Sequence, residues 1–203
     1  MPRLISCVLT ITILWTSYLP HDKNSSTPAT TIDQEEESLN VPPVATNHAK
    51  DSVPSPVKKT DQTTSNLIAH MLKNKVAKAS AKEWASLIMK NSQAYKVDPY
   101  TILAMIQVES QYDAKAVGTA NDTGLLQILP ATQKYMKVVG DLHEPAVNIE
   151  VGSKYLAYTQ KRFGRELGIV AYNQGEGNVA KGNYSTKYLE KVNKTLESIE
   201  RHE

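Results

Sequence analysis

The chain has 203 residues, room for one ordinary domain with extensions, and carries 23 Lys/Arg against 21 Asp/Glu. The charge is uneven: residues 1–66 hold 5 basic and 7 acidic side chains, and the rest holds 18 and 14. So small a basic excess suits an anionic polymer or surface but gives no ground for nucleic-acid binding. A single cysteine, Cys7, excludes an intrachain disulfide, and five scattered histidines offer no zinc-ligand spacing.

The N-terminus opens with Arg3 and the sixteen-residue apolar run "LISCVLTITILWTSYL". One positive charge before an apolar stretch is the layout of an export signal, and no Ala-x-Ala cleavage site follows. Residues 1–20 therefore read as a signal peptide or an N-terminal membrane anchor, the anchor being preferred. The next segment, 21–66, is rich in Pro, Ser and Thr and has no aromatic residue. It lacks the apolar surface to offset its ordering entropy and reads as a disordered, extended tether.

From Leu67 to Glu203 helix formers dominate and strand-like alternation is nearly absent, so the expected fold class is all-α with one core. A first amphipathic stretch places Trp84, Leu87 and Ile88 on one stripe. Asp98-Pro99 supplies an N-cap and a first-turn proline for a helix over 99–111. "EPAVNIEVGSKYLAYTQKRFG" gives a longer helix closed by Gly164, and "RELGIVAYN" begins a shorter one. In the last helix Leu189, Val192, Leu196 and Ile199 share a face.

On the helix over 99–111, Ile102, Met105, Ile106 and Glu109 line one face. Glu109 thus continues an apolar stripe at a helix C-terminus. Burial and the negative helix end both disfavour its ionised form, which predicts a raised pKa suited to a general acid. The plainer alternative is a last-turn glutamate reaching solvent. Two later segments bear on the choice. "GLLQILP" places one amide, Gln127, in an apolar turn, where it either caps backbone or lines a pocket. "AYNQGEGN" joins Tyr172 and Asn173 to two glycines, as a helix terminator or as the wall of a polar cleft.

Taken together, "ES-x-YD-x-x-AVG" from Glu109, "GLLQILPAT" from Gly124, "EPAVNIEVGSKYL" from Glu144 and "AYNQGEGNV" from Ala171 resemble the SLT-type lytic transglycosylases, relatives of goose-type lysozyme. The four blocks follow in the family's order and spacing across roughly residues 97–192. The resemblance implies a lysozyme-like helical fold and cleavage of the β-1,4 bond between N-acetylmuramic acid and N-acetylglucosamine in peptidoglycan. It makes Glu109 the single catalytic acid and base, with 1,6-anhydro-muramoyl ends as product. It also puts Gln127, Tyr172, Asn173 and Tyr155 in contact with or around the sugar, and calls for no metal or cofactor.

The chain departs from the family at Gly118, where most relatives carry serine, and at Asp122, a carboxylate they usually lack. Asp122, and more faintly Asp113, leaves open a hydrolytic muramidase that uses a carboxylate to orient water. A catalytically silent peptidoglycan-binding protein is the reading from a different class. The layout of anchor, tether and domain suits peptidoglycan strands as partner and an extracytoplasmic, envelope or virion setting. It would serve wall opening for a secretion or conjugation machine or for phage entry.

Overall fold

The computed structural model describes residues 56–200, with side chains described over 60–199. The apolar segment 1–20, and the tether as far as residue 55, lie outside the described residues. Eight helices follow in order: α1 (Pro56–Lys73), α2 (Lys78–Tyr95), α3 (Pro99–Ser110), α4 (Pro130–Met136), α5 (Pro145–Phe163), α6 (Arg165–Gln174), α7 (Glu176–Ala180) and α8 (Lys187–Glu200). The described residues form no sheet; isolated bridges pair Val117 with Thr123 and Thr123 with Ile128. The fold is all-α. No helix among the described residues is long and apolar enough to cross a membrane.

Helix α1 begins at Pro56, inside the segment expected to be a tether, and runs through the expected boundary at Leu67. The polar residues of its early turns bond locally: Thr64 and Ser65 return their hydroxyls to the carbonyls of Thr60 and Asp61. Leu67 and Met71 then bury completely in the core. Anchored there, the helix extends backwards through residues with little apolar surface of their own.

Helix α3 is the centre of the domain. All six residues from Thr101 to Ile106 are buried, which is burial all round and not along one stripe. Its start is well specified: Asp98 accepts from the Thr101 amide at 2.9 Å, and Pro99 occupies the first turn. Pro130 and Pro145 open α4 and α5 in the same way, each after an extended residue. Helix α5 packs on α2 and α6, and α8 packs along α3. The predicted face of α8 is buried throughout, with Val192 fully covered. Between α5 and α6, Gly164 turns the chain with φ 82° and ψ 174°, a conformation that side chains resist.

Candidate active site

The C-terminal end of α3 delivers Glu109 to the edge of the core. The helix stops abruptly there, with Gln111 at φ 51° and Tyr112 at φ 68°. Two successive non-glycine residues in the left-handed region cost roughly 1–2 kcal/mol each, so the surrounding packing imposes this exit. The Tyr188 hydroxyl of α8 donates to Glu109 Oε1 at 2.6 Å. Burial is the largest influence on the carboxyl and pushes its pKa up to about 7. The Tyr188 hydrogen bond and the Lys191 charge pull it down, and the Asp122 charge pushes it up. Near neutral pH the group therefore exists in both forms, as one that gives a proton and then takes one must.

Beside Glu109 lies the loop over residues 114–129, which α5 holds in place. Asn148, buried on α5, donates from Nδ2 to the carbonyls of Thr123 and Leu142 and accepts from the Leu126 amide, each at 2.8 Å. Its three bonds fix the apolar turn that carries Gln127. On the other side the Tyr172 hydroxyl of α6 donates to the Leu126 carbonyl at 2.9 Å. This junction is close-packed over Gly152: a Cβ there would overlap the Leu126 side chain and come within 3.1 Å of the Tyr172 oxygen.

The residues singled out in the sequence fall into three groups. Glu109 and Tyr172 are neighbours: burial raises the Tyr172 phenol first, and the Glu109 charge adds to it. Tyr155 packs against Tyr172 with ring centroids 5.3 Å apart and stacks on Tyr158 at 6.3 Å. Tyr158 in turn meets the exposed Tyr135 edge-on, so an aromatic run leads outward from Tyr172. Gln127, left-handed at φ 46°, donates its amide to the carbonyls of Gly124 and Ala116 at 2.9 and 3.3 Å. Of the two roles left open for it, backbone capping is the one formed here. Asn173 stands exposed on α6, with no hydrogen bond to Glu109 among the described residues. Asp113 is exposed and accepts from the Lys115 amide at 2.8 Å, a local turn. Asp122 is partly buried and close enough for its charge to act on Glu109.

Three functional neighbours escaped the sequence reading. Tyr188 borders the apolar face of α8 and reads there as one more core aromatic. Lys191 reads as a solvated charge, and Asn148 as a polar residue in a helix. Nothing local distinguishes them; their partners lie 79 residues away for Tyr188 and 22 to 25 for two of the three Asn148 bonds. A recess of about 450 Å³ also opens between the ends of α1 and α3 and α8, lined by Gln107, Gln111, Lys191 and Lys194. Glu109 does not line it, and Lys191 borders both places.

Comparison with known proteins places these features in context. The family model of the transglycosylase SLT domain matches residues 86–195. The membrane-bound lytic murein transglycosylase E of Buchnera aphidicola subsp. Acyrthosiphon pisum (strain APS) is 30% identical over 104 residues, covering 46% of this chain and 47% of the relative. The membrane-bound lytic murein transglycosylase C of Haemophilus ducreyi (strain 35000HP / ATCC 700724) is 33% identical over 120 residues, covering 50% of this chain and 33% of the relative. The chain thus spans less than half the length of these relatives. Among solved structures, the 70 kDa soluble lytic transglycosylase of Escherichia coli superposes with a TM-score of 0.47 at 19% identity, covering 70% of this chain and 28% of that one.

Proposed function

The chain belongs to the transglycosylase SLT domain family, and from that premise we propose that it is a peptidoglycan lytic transglycosylase with Glu109 as its single acid and base. The observation that carries the reading is the state of Glu109: a carboxyl at the end of the central helix, raised to about 7 by burial and held by Tyr188. Protonated Glu109 gives its proton to the glycosidic oxygen between N-acetylmuramic acid and N-acetylglucosamine. The C1–O bond breaks as positive charge develops on the sugar ring. The resulting carboxylate then takes the proton from the muramoyl C6 hydroxyl, whose oxygen bonds to C1 and closes the 1,6-anhydro ring. Glu109 ends protonated again, so one carboxyl completes the cycle, whereas hydrolytic glycosidases commonly use two.

In this reading Tyr172 and Tyr155 wall the cleft beside the acid, and Asn173 and the carbonyl end of Gln127 meet the sugar. The partner is the glycan strand of the cell wall, and the setting is the cell envelope, in keeping with the relatives' names. The N-terminal apolar segment would then hold the domain near a membrane.

The test is product analysis. Digestion of purified sacculi followed by mass spectrometry is expected to give 1,6-anhydro-muramoyl ends. Glu109→Gln, which keeps an acceptor for Tyr188, is expected to lose activity by about 100-fold or more, the usual worth of a general acid. Reducing ends in place of anhydro ends, or undiminished cleavage by this variant, would overturn the assignment.

A further inference from the structure

We propose that the recess between the ends of α1 and α3 and α8 is a binding subsite for a carboxylate, supplied by the peptide that the muramoyl residue bears. The proposal rests on the transglycosylase reading above and extends it from the glycan to the peptide attached to it.

The recess, of about 450 Å³, is lined by hydrogen-bond donors. Lys191 and Lys194 stand three residues apart on α8 and so share one face of it. Neither has an ion-pair partner among the described residues. No acidic side chain of the described residues lines the recess. On the α3 wall the Tyr112 hydroxyl donates to Gln107 Oε1 at 3.0 Å, and His70 Nε2 of α1 stands 2.7 Å from the same oxygen. With that oxygen engaged twice, the Gln107 side chain has only its Nε2 hydrogens left to offer. Asn74 closes the α1 side, its Nδ2 donating to the His70 carbonyl at 2.9 Å. Two ammonium groups and an amide donor with no carboxylate opposite them suit a ligand that only accepts. An ionised carboxylate is such a ligand, and its bonds to cations are the strong ones.

The recess lies beside the acid without containing it. Val108, which lines it, immediately precedes Glu109, and Gln111 follows two residues later. On α8, Tyr188 bonds Glu109 at 2.6 Å, and Lys191 sits one turn further along, roughly 5–6 Å away between Cβ atoms. Lys194 stands another turn on, about 9 Å from Tyr188 at the helical rise. In peptidoglycan the muramoyl lactyl group carries a short peptide with free carboxylates. That peptide hangs from the same sugar whose C1–O bond the acid breaks. An extended peptide covers about 3.3–3.6 Å per residue, so its second or third residue spans the distance from Tyr188 to Lys194. A carboxylate bound there ties the muramoyl ring in register with Glu109.

The experiment measures binding of the full chain carrying Glu109→Gln to three soluble forms of the same glycan strands. One form keeps its peptides, one has lost them to an amidase, and one keeps peptides whose carboxylates are converted to amides. Strands with free carboxylates should bind about fivefold more tightly than either other form, the worth of one ion pair at a partly exposed site. Adding Lys194→Glu should abolish that preference and leave binding of the stripped strands unchanged. Lys194 is the residue to change because Lys191 also bears on the state of the acid. Equal binding of all three forms, a preference for peptides that survives amidation, or a Lys194→Glu loss that is the same on stripped strands overturns the proposal. Should Glu109→Gln still cleave, the acid assignment falls, and the KM values of the parent chain on the three forms decide the recess instead. With Glu109→Gln inert, a missing preference removes only the peptide subsite and leaves the acid in place.

Discussion

Tyr188 donates its phenolic hydrogen to Glu109 at 2.6 Å, and the sign of its effect follows from which form of the acid it favours. A donor stabilises the carboxylate, so it holds the pKa below the value that burial alone would set. In Tyr188→Phe the acid should titrate above about 7, and the alkaline limb of the pH–rate profile should move to higher pH. The rate below that limb should fall, because the carboxyl loses the contact that orients it. A limb that stays still or moves to lower pH would show that Tyr188 only packs. The helical period put Glu109 on an apolar face, and the resemblance of the four sequence blocks to the SLT-type lytic transglycosylases singled it out as the candidate acid. Tyr188 was not singled out, because only the packing of α8 on α3 brings it there.

Helices α3, α5 and α8 follow sequence signals that act within a few residues: Asp98-Pro99 and Pro145 at starts, Gly164 at an end, and an apolar face on α8. Such local cues made the order and type of these helices readable. The loop between α3 and α4 was not readable, because its shape comes from α5. Asn148 satisfies two buried backbone groups of that loop, those of Thr123 and Leu126, which lie 25 and 22 residues before it, and a third at Leu142 in the connection to α5. Asn148→Ala would strand the Leu126 amide and the Thr123 and Leu142 carbonyls, at about 1–3 kcal/mol for each group left unsatisfied. The expected loss is about 3 kcal/mol or more, read as a fall in the urea midpoint with an unchanged slope. Activity should fall with it, since Leu126 is also the anchor of Tyr172. A variant as stable as the parent would mean the loop holds its own shape.

For the whole molecule, the domain starts earlier than composition suggests, and this decides where it can be cut. A chain beginning at Pro56 keeps all of α1 and should cleave isolated sacculi as the full chain does. A chain beginning at Leu67 keeps seven residues of α1, too few for a helix to hold without its preceding turns, and loses the Asn66–Tyr100 hydrogen bond at 3.2 Å. Its melting temperature should be lower; equal melting temperatures would make the first turns of α1 dispensable. By itself the sequence determined the helical class, the order of the main helices and the placement of one carboxylate on an apolar helical face. Each follows from periodicity, caps and composition, which act over a turn or two of chain. Only the tertiary structure decided that α3 is buried on all sides, that the Tyr188 hydroxyl of α8 bonds Glu109, and that Asp122 occupies the space above Gly118. These depend on which surfaces meet across tens of residues, and no local pattern encodes that.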